Sequence, residues 1–128
     1  MTSPDAATNP DTFTDFTGVR DALRRFAAER DWDQFHTPKN LAMALIAEAA
    51  EIVEHFQWLT ADESAALPED KRGEVGEELA DVLFYLVRLA DRLDIDLPAA
   101  AAAKMAINER KYPAERVKGS ARRYREYD

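Results

Sequence analysis

Residues 41–53 read LAMALIAEAAEIV, and residues 77–87 read EELADVLFYLV; each is an apolar helical stretch carrying two acids three residues apart. At about 100° per residue, Leu41, Leu45, Ile52 and Leu59 share one narrow stripe. Glu48 falls in that stripe and is expected to point toward the core. On the second stretch the stripe is Val75, Leu79, Val82, Leu86, Leu89 and Leu93, with Glu78 at its edge and Asp81 one step further round. Both pairs, Glu48 with Glu51 and Glu78 with Asp81, are spaced i, i+3. Each therefore lies on one face of its helix, about 4.5 Å along the axis. Antiparallel packing of two such helices converges four carboxylates on one point. Like charges about 5 Å apart repel by roughly 3 kcal/mol per pair at an effective dielectric near 20. Such a cluster holds either protons or a cation.

Solvated acids belong to a continuous polar face, and Glu48 and Glu51 are the only polar side chains from Leu41 to Val53. An all-carboxylate set selects Mg²⁺, with Mn²⁺ as a substitute, over zinc or copper. The chain has no Cys and two His, which excludes a thiolate site. A di-iron bundle needs Glu-x-x-His, but the residues three before His55 and His36 are Ile52 and Asp33.

The remaining pattern is helical. A first helix is expected from about Phe16 to Arg30, with Thr17 as its cap. Thr37 and Pro38 open a second that runs to about Leu59. A short turn after Thr60 is expected, then a third helix from Pro68 to about Leu93. Asp96 and Pro98 repeat the cap-and-proline signal for a fourth, which stops at Lys111 before Pro113. The expected fold is all-α, a four-helix bundle-like core over residues 16–113. Residues 1–15 read as a disordered tail, and residues 114–128 as a basic, loosely ordered one.

With 128 residues and a formal net charge of −8, the chain repels phosphate backbones, so a nucleic-acid partner is not expected. The longest apolar run is too short to span a bilayer, and the N-terminal stretch has neither a basic start nor an apolar segment. With zero Cys this fits the cytoplasm. The second helix is apolar on nearly every side, so part of it is expected to be covered by another copy of the chain.

Asn40, His55 and Trp58 occupy the sector beside Glu48, and Tyr85 lies one turn beyond Asp81. Lys104, Asn108 and Lys111 form a stripe on the fourth helix, with Tyr112 following. The basic side chains suit phosphate oxygens, and Trp32 and Trp58 suit stacking on a base.

Taken together, Glu48-x-x-Glu51 and Glu78-x-x-Asp81, with FAAERDWDQFH (26–36), PKNLAMAL (38–45), FQW (56–58), DVLFYLVRLA (81–90) and KMAINERKYP (104–113), resemble the MazG-like all-α nucleoside triphosphate pyrophosphohydrolases. Within them the chain looks most like the dCTP pyrophosphatase branch. The resemblance implies hydrolysis of a deoxynucleoside triphosphate, dCTP or a modified pyrimidine relative, to monophosphate and pyrophosphate, as nucleotide-pool cleaning. It implies Mg²⁺ on Glu48, Glu51, Glu78 and Asp81, with Lys104, Lys111 and Tyr112 toward the phosphates. Trp32, His36, Trp58, Tyr85 and Asn108 would surround base and sugar, with Asn40 beside them. A homo-oligomer is implied, a tetramer built from dimers or a dimer. Lys111 stands where Arg is usual, and Leu23 where some members carry a histidine. The alternatives are a related enzyme acting on dUTP or phosphoribosyl-ATP, and a non-catalytic helical interaction module.

Overall fold

The computed structural model describes residues 13–121. Residues 1–12 and 122–128, most of one expected tail and half of the other, lie outside the described residues. All regular structure among the described residues is helical. The long helices are α1 (Phe16–Glu29), α2 (Pro38–Phe56), α4 (Glu69–Arg92) and α5 (Leu97–Lys111). Two single turns join them, α3 (Ala61–Ser64) and α6 (Ala114–Val117), the latter inside the stretch read as a loose tail.

Local chemistry accounts for the helix starts. Asp15, not Thr17, caps α1. Its backbone is extended, and its Oδ1 accepts from the Gly18 amide at 2.8 Å, whereas Thr17 is already helical. Gly18 fits because a Cβ there would stand 2.7 Å from that of Phe13. Thr37 caps α2 by accepting from the Asn40 amide at 3.1 Å, and Pro38 follows at the first turn. Thr60 and Glu63 exchange hydrogen bonds in a capping box around α3. Asp96 caps α5 through the Ala99 amide at 3.0 Å.

Two helix ends use an aspartate in the left-handed region, Asp31 at φ 54° and Asp94 at φ 56°. At the end of α1 the amides of Asp31 and Trp32 donate back to Ala28 and Ala27, so the chain reverses tightly and carries Trp32 alongside the helix it has just left. α2 ends at Phe56, one turn sooner than the apolar pattern implied, with Trp58 and Leu59 in the following turn.

The chain divides into two compact units, Met1–Asp94 and Ile95–Asp128, a division that falls inside the stretch expected to form one helical domain. In the first unit α4 is central and packs along α2 and, over a shorter length, along α1. Its core is Val19, Ala22 and Ala27 from α1, Leu41 from α2, and Val75, Val87 and Ala90 from α4. The expected stripe of α4 is thus buried only in part: Leu79 is 54% exposed, and Leu86 and Leu93 are exposed too. On α2, Met43, Ile46 and Val53 face solvent, with Ile46 69% exposed. The four expected long helices are all present, but three of them form the first unit. The fourth, α5, belongs to the second unit and buries no residue there. Its run Ala99–Ala103 offers little apolar area per side chain, which limits what packing could stabilise.

Candidate active site

The two acidic pairs meet between α2 and α4. One carboxylate oxygen each from Glu48, Glu78 and Asp81 lie within 4.8 Å of one another. Oxygens on a single Mg²⁺ at about 2.1 Å stand roughly 3–4.2 Å apart, so slight closure would match them. Glu48 and Glu78 are half-buried, while Glu51 and Asp81 sit at the exposed rim. Glu51 stands outside the group of three, within hydrogen-bonding reach of both Glu48 and Glu78.

Among the described residues no donor satisfies the centre of this cluster. Oε2 of Glu48 and Oε2 of Glu78 are buried and have no hydrogen-bond partner. A contact between two carboxyl groups is a hydrogen bond only when one of them carries a proton. Accordingly the Glu48 carboxyl is pushed up, first by burial, then by its contact with Glu51 and by the charges of Glu51, Asp81 and Glu78. Glu78 is pushed up mainly by its contact with Glu51 and by burial, while His55 works the other way. Two orphaned buried oxygens and a third carboxylate facing them are the donor set of a hard cation, and the residues fit one.

His55 lies beside the cluster. Its Nε2 is 3.6 Å from Glu78 and its Nδ1 3.9 Å from Glu74, so it backs Glu78 from the side. The sequence had placed His55 in the right sector without a role.

Adjoining the acids is a cavity of about 300 Å³ lined by Leu23, Phe26, Trp32, His36, Asp81, Phe84, Tyr85 and Arg88, with Ala27 at its back. Trp32 meets Phe26 edge to face at 5.6 Å, and His36 meets Trp32 at 6.2 Å. Asp81 belongs to both the acidic group and this wall. Tyr85 is joined to the acids electrically: burial and then the charges of Glu48 and Asp81 push its hydroxyl up, so it stays protonated.

The loop bearing Trp32 and His36 is held by α4. Arg88, 6% exposed, donates from Nε to His36 Nδ1 at 3.1 Å and from Nη2 to Asp33. Arg92 Nε donates to the His36 carbonyl at 3.1 Å. Asp91 and Arg24 form a two-point bridge to α1, 2.7 and 2.5 Å. Sequence reading missed Arg88, Phe26 and Phe84 as wall residues. The signal for Arg88 was available, since it is the sole charge in FYLVRLA (84–90), the same oddity that exposed Glu48.

Of the residues expected at the site, the structure brings together Glu48, Glu51, Glu78, Asp81, Trp32, His36 and Tyr85. Asn40 uses its side-chain amide on the Phe35 carbonyl at 3.0 Å, which fixes the loop's exit. Trp58 is 87% exposed beyond the end of α2 and does not line this cavity. Lys104, Asn108, Lys111 and Tyr112 lie on or next to α5 in the second unit; Asn108 is half-buried and Lys104 exposed.

The chain is 48% identical over 110 residues to dCTP pyrophosphatase 1 of Homo sapiens, covering 84% of this chain and 65% of that protein. It is 45% identical over 124 residues to the Mus musculus protein of the same name, covering 93% and 73%. The chain thus spans about two thirds of the human relative's length. A crystal structure of a pyrophosphatase from Archaeoglobus fulgidus superimposes with a TM-score of 0.73 at 45% identity, covering 80% of this chain and 95% of that one. The family model described as MazG-like matches residues 44–127, which include both acidic pairs, and the chain belongs to the MazG-like family.

Proposed function

We propose that this protein is a metal-dependent nucleoside triphosphate pyrophosphohydrolase that converts dCTP, or a modified pyrimidine deoxynucleotide, to its monophosphate and pyrophosphate. The observation that carries this reading is the acidic group, two of whose buried oxygens have no partner among the described residues, opening directly onto an aromatic cavity through Asp81. The names of the relatives support the same chemistry.

Glu48, Glu78 and Asp81 would hold Mg²⁺, with Glu51 at the rim. When bound, Mg²⁺ supplies neutralisation of the triphosphate charge and polarisation at the α-phosphorus. Trp32 offers a stacking surface to the base and Phe26 braces it. Phe84 and Leu23 exclude water from that end. Tyr85, kept protonated, donates toward the sugar or phosphate beside the acids. Glu51, exposed and outside the three-oxygen group, takes the proton of the attacking water. Water attack at the α-phosphorus sends pyrophosphate away intact.

The exposed apolar faces of α2 and α4, Met43, Ile46, Val53, Leu79 and Leu83, support a closed homo-oligomer. Light scattering that returns a monomer at every concentration would remove that part. No helix among the described residues is long and apolar enough to cross a membrane.

A panel of nucleoside triphosphates with pyrophosphate detection tests the substrate, and turnover in ¹⁸O water tests the bond. Label is expected in the monophosphate. Label in pyrophosphate, orthophosphate as first product, or full turnover in EDTA would overturn the reading.

A further inference from the structure

Arg88 is buried in the wall of the cavity, yet its guanidinium is used up away from any ligand. Nε donates to His36 Nδ1 at 3.1 Å, Nη2 donates to Asp33, and Nη1 stands 3.7 Å from Asp91 Oδ2. A guanidinium is always protonated and only donates, so the nitrogen it meets on His36 must accept. An imidazole that accepts at Nδ1 and is neutral carries its one proton on Nε2. Among the described residues Nε2 of His36 has no hydrogen-bond partner, and His36 lines the cavity. Its main chain is fixed as well, the amide donating to the Trp32 and Asp33 carbonyls and the carbonyl receiving Arg92.

We propose that Arg88, anchored by Asp33, is a positioning residue that locks His36 as the Nε2–H tautomer, so that the cavity presents a fixed neutral donor and selects a base offering an acceptor at that wall. Of the other polar groups there, Asp81 belongs to the acidic group, Tyr85 can both donate and accept, and the Trp32 indole N–H is a second neutral donor, carried on the same loop. Burial, followed by the charges of Arg88 and Arg92, lowers the His36 ring below its usual value, with Asp33 opposing, which is consistent with a neutral ring. The chemistry matches the ring nitrogen or carbonyl oxygen of a pyrimidine edge, and the selection half of the proposal rests on the nucleotide reading above.

The lock is tested before any substrate is added. The chain has two histidines, so a long-range ¹H–¹⁵N correlation spectrum of the full-length protein with Mg²⁺, assigned with His36→Gln, reads the His36 tautomer directly. The expected signal is Nε2–H with an unprotonated Nδ1. A protonated Nδ1 in the wild type would overturn the proposal without touching the enzyme reading. Arg88→Met should release the tautomer preference, and Arg88→Lys, which keeps a donor and the Asp33 pair, should restore it. With dCTP as probe, Arg88→Met should raise KM about five- to tenfold, the loss of one neutral hydrogen bond, with kcat falling far less. Arg88→Lys should recover most of that loss. A purely structural Arg88 would instead lower kcat and melting temperature together and leave KM and the tautomer unmoved, which would refute the inference. Should Arg88→Met fail to fold, Asp33→Asn removes the anchor at a half-buried position and is expected to shift the tautomer and KM in the same direction. Absence of dCTP binding and turnover in the wild type would refute the nucleotide reading and the selection it implies, while the tautomer spectrum would still decide the lock.

Discussion

One helix carries two charged clusters of opposite character. Near its middle, α4 contributes Glu78 and Asp81 to a group whose inner oxygens have no partner. About 10 Å further along, it contributes Arg88, Asp91 and Arg92 to a group in which every charged side chain has a partner, Arg88 and Asp91 in ion pairs and Arg92 on the His36 carbonyl. The response of the carboxyls records the difference: Asp91 is held below its usual range, chiefly by its hydrogen bond to Arg24, whereas Glu48 and Glu78 are pushed above theirs. A folded chain closes its own charges where they serve architecture. It leaves them open where something from outside must close them. Here the closed cluster holds the loop that forms one wall of the cavity, and the open cluster forms the adjoining wall.

The largest effect is expected from Glu48→Gln or Asp81→Asn. Either should lower turnover by more than the roughly 100-fold typical of losing an outer partner of a metal ligand, with helicity unchanged in circular dichroism. Unfolding of these variants would mean that the open cluster is structural after all, and the comparison would collapse. Mg²⁺ comes next. At about 100 times its Kd it should stabilise the protein by roughly 2.7 kcal/mol, read as a rise in melting temperature that EDTA reverses. Asp91→Ala, by contrast, should show no change in its Mg²⁺ response but lose stability in urea melts. Because Arg24 is half exposed while Arg88 is buried, the loss should fall between that of a surface and a buried pair, about 1–2 kcal/mol.

The smallest effect concerns pH and separates the clusters by sign. Glu48 and Glu78, being raised, favour the folded state below the usual glutamate value of 4.5, and that contribution is lost as pH rises through their folded values. Asp91, being lowered, contributes stability that is full above its usual 3.8 and lost as pH falls through its folded value. In EDTA, stability should therefore rise modestly as pH falls from neutral toward the usual glutamate value of 4.5, and fall again as pH drops below the usual aspartate value of 3.8. Mg²⁺ should flatten the upper limb and leave the lower one in place. An upper limb unaffected by Mg²⁺ would separate the raised carboxyls from metal binding.

Helix positions were legible because they depend on neighbours in the chain. Thr37 with Pro38, Thr60 with Glu63, and Asp96 with Pro98 are each complete local signals, and each opens a helix where it stands. Thr17 misled because Asp15 two residues earlier is the better acceptor in extended backbone. The acidic pairs were legible because charge is expensive in apolar sequence whatever the partner. Less visible was which apolar face stays open. Periodicity gives α4 a stripe but does not say that Leu79 and Leu86 face outward while Val87 and Ala90 are buried.

The sequence by itself determined an all-helical chain, two acidic pairs on apolar helices, and a formal net charge of −8, because these rest on residue type and on spacings of three or four. Only the tertiary structure decided that Glu48, Glu78 and Asp81 share one point, that Asp81 also faces the cavity of Trp32 and His36, and that Arg88 is spent on the loop from 33 to 36. Those contacts join residues 30 to 55 positions apart, and their register is set by how α4 lies against α2 and α1. No local pattern encodes that register; it follows from which faces bury together, and with it comes the division between charges the fold closes and charges it leaves for a ligand.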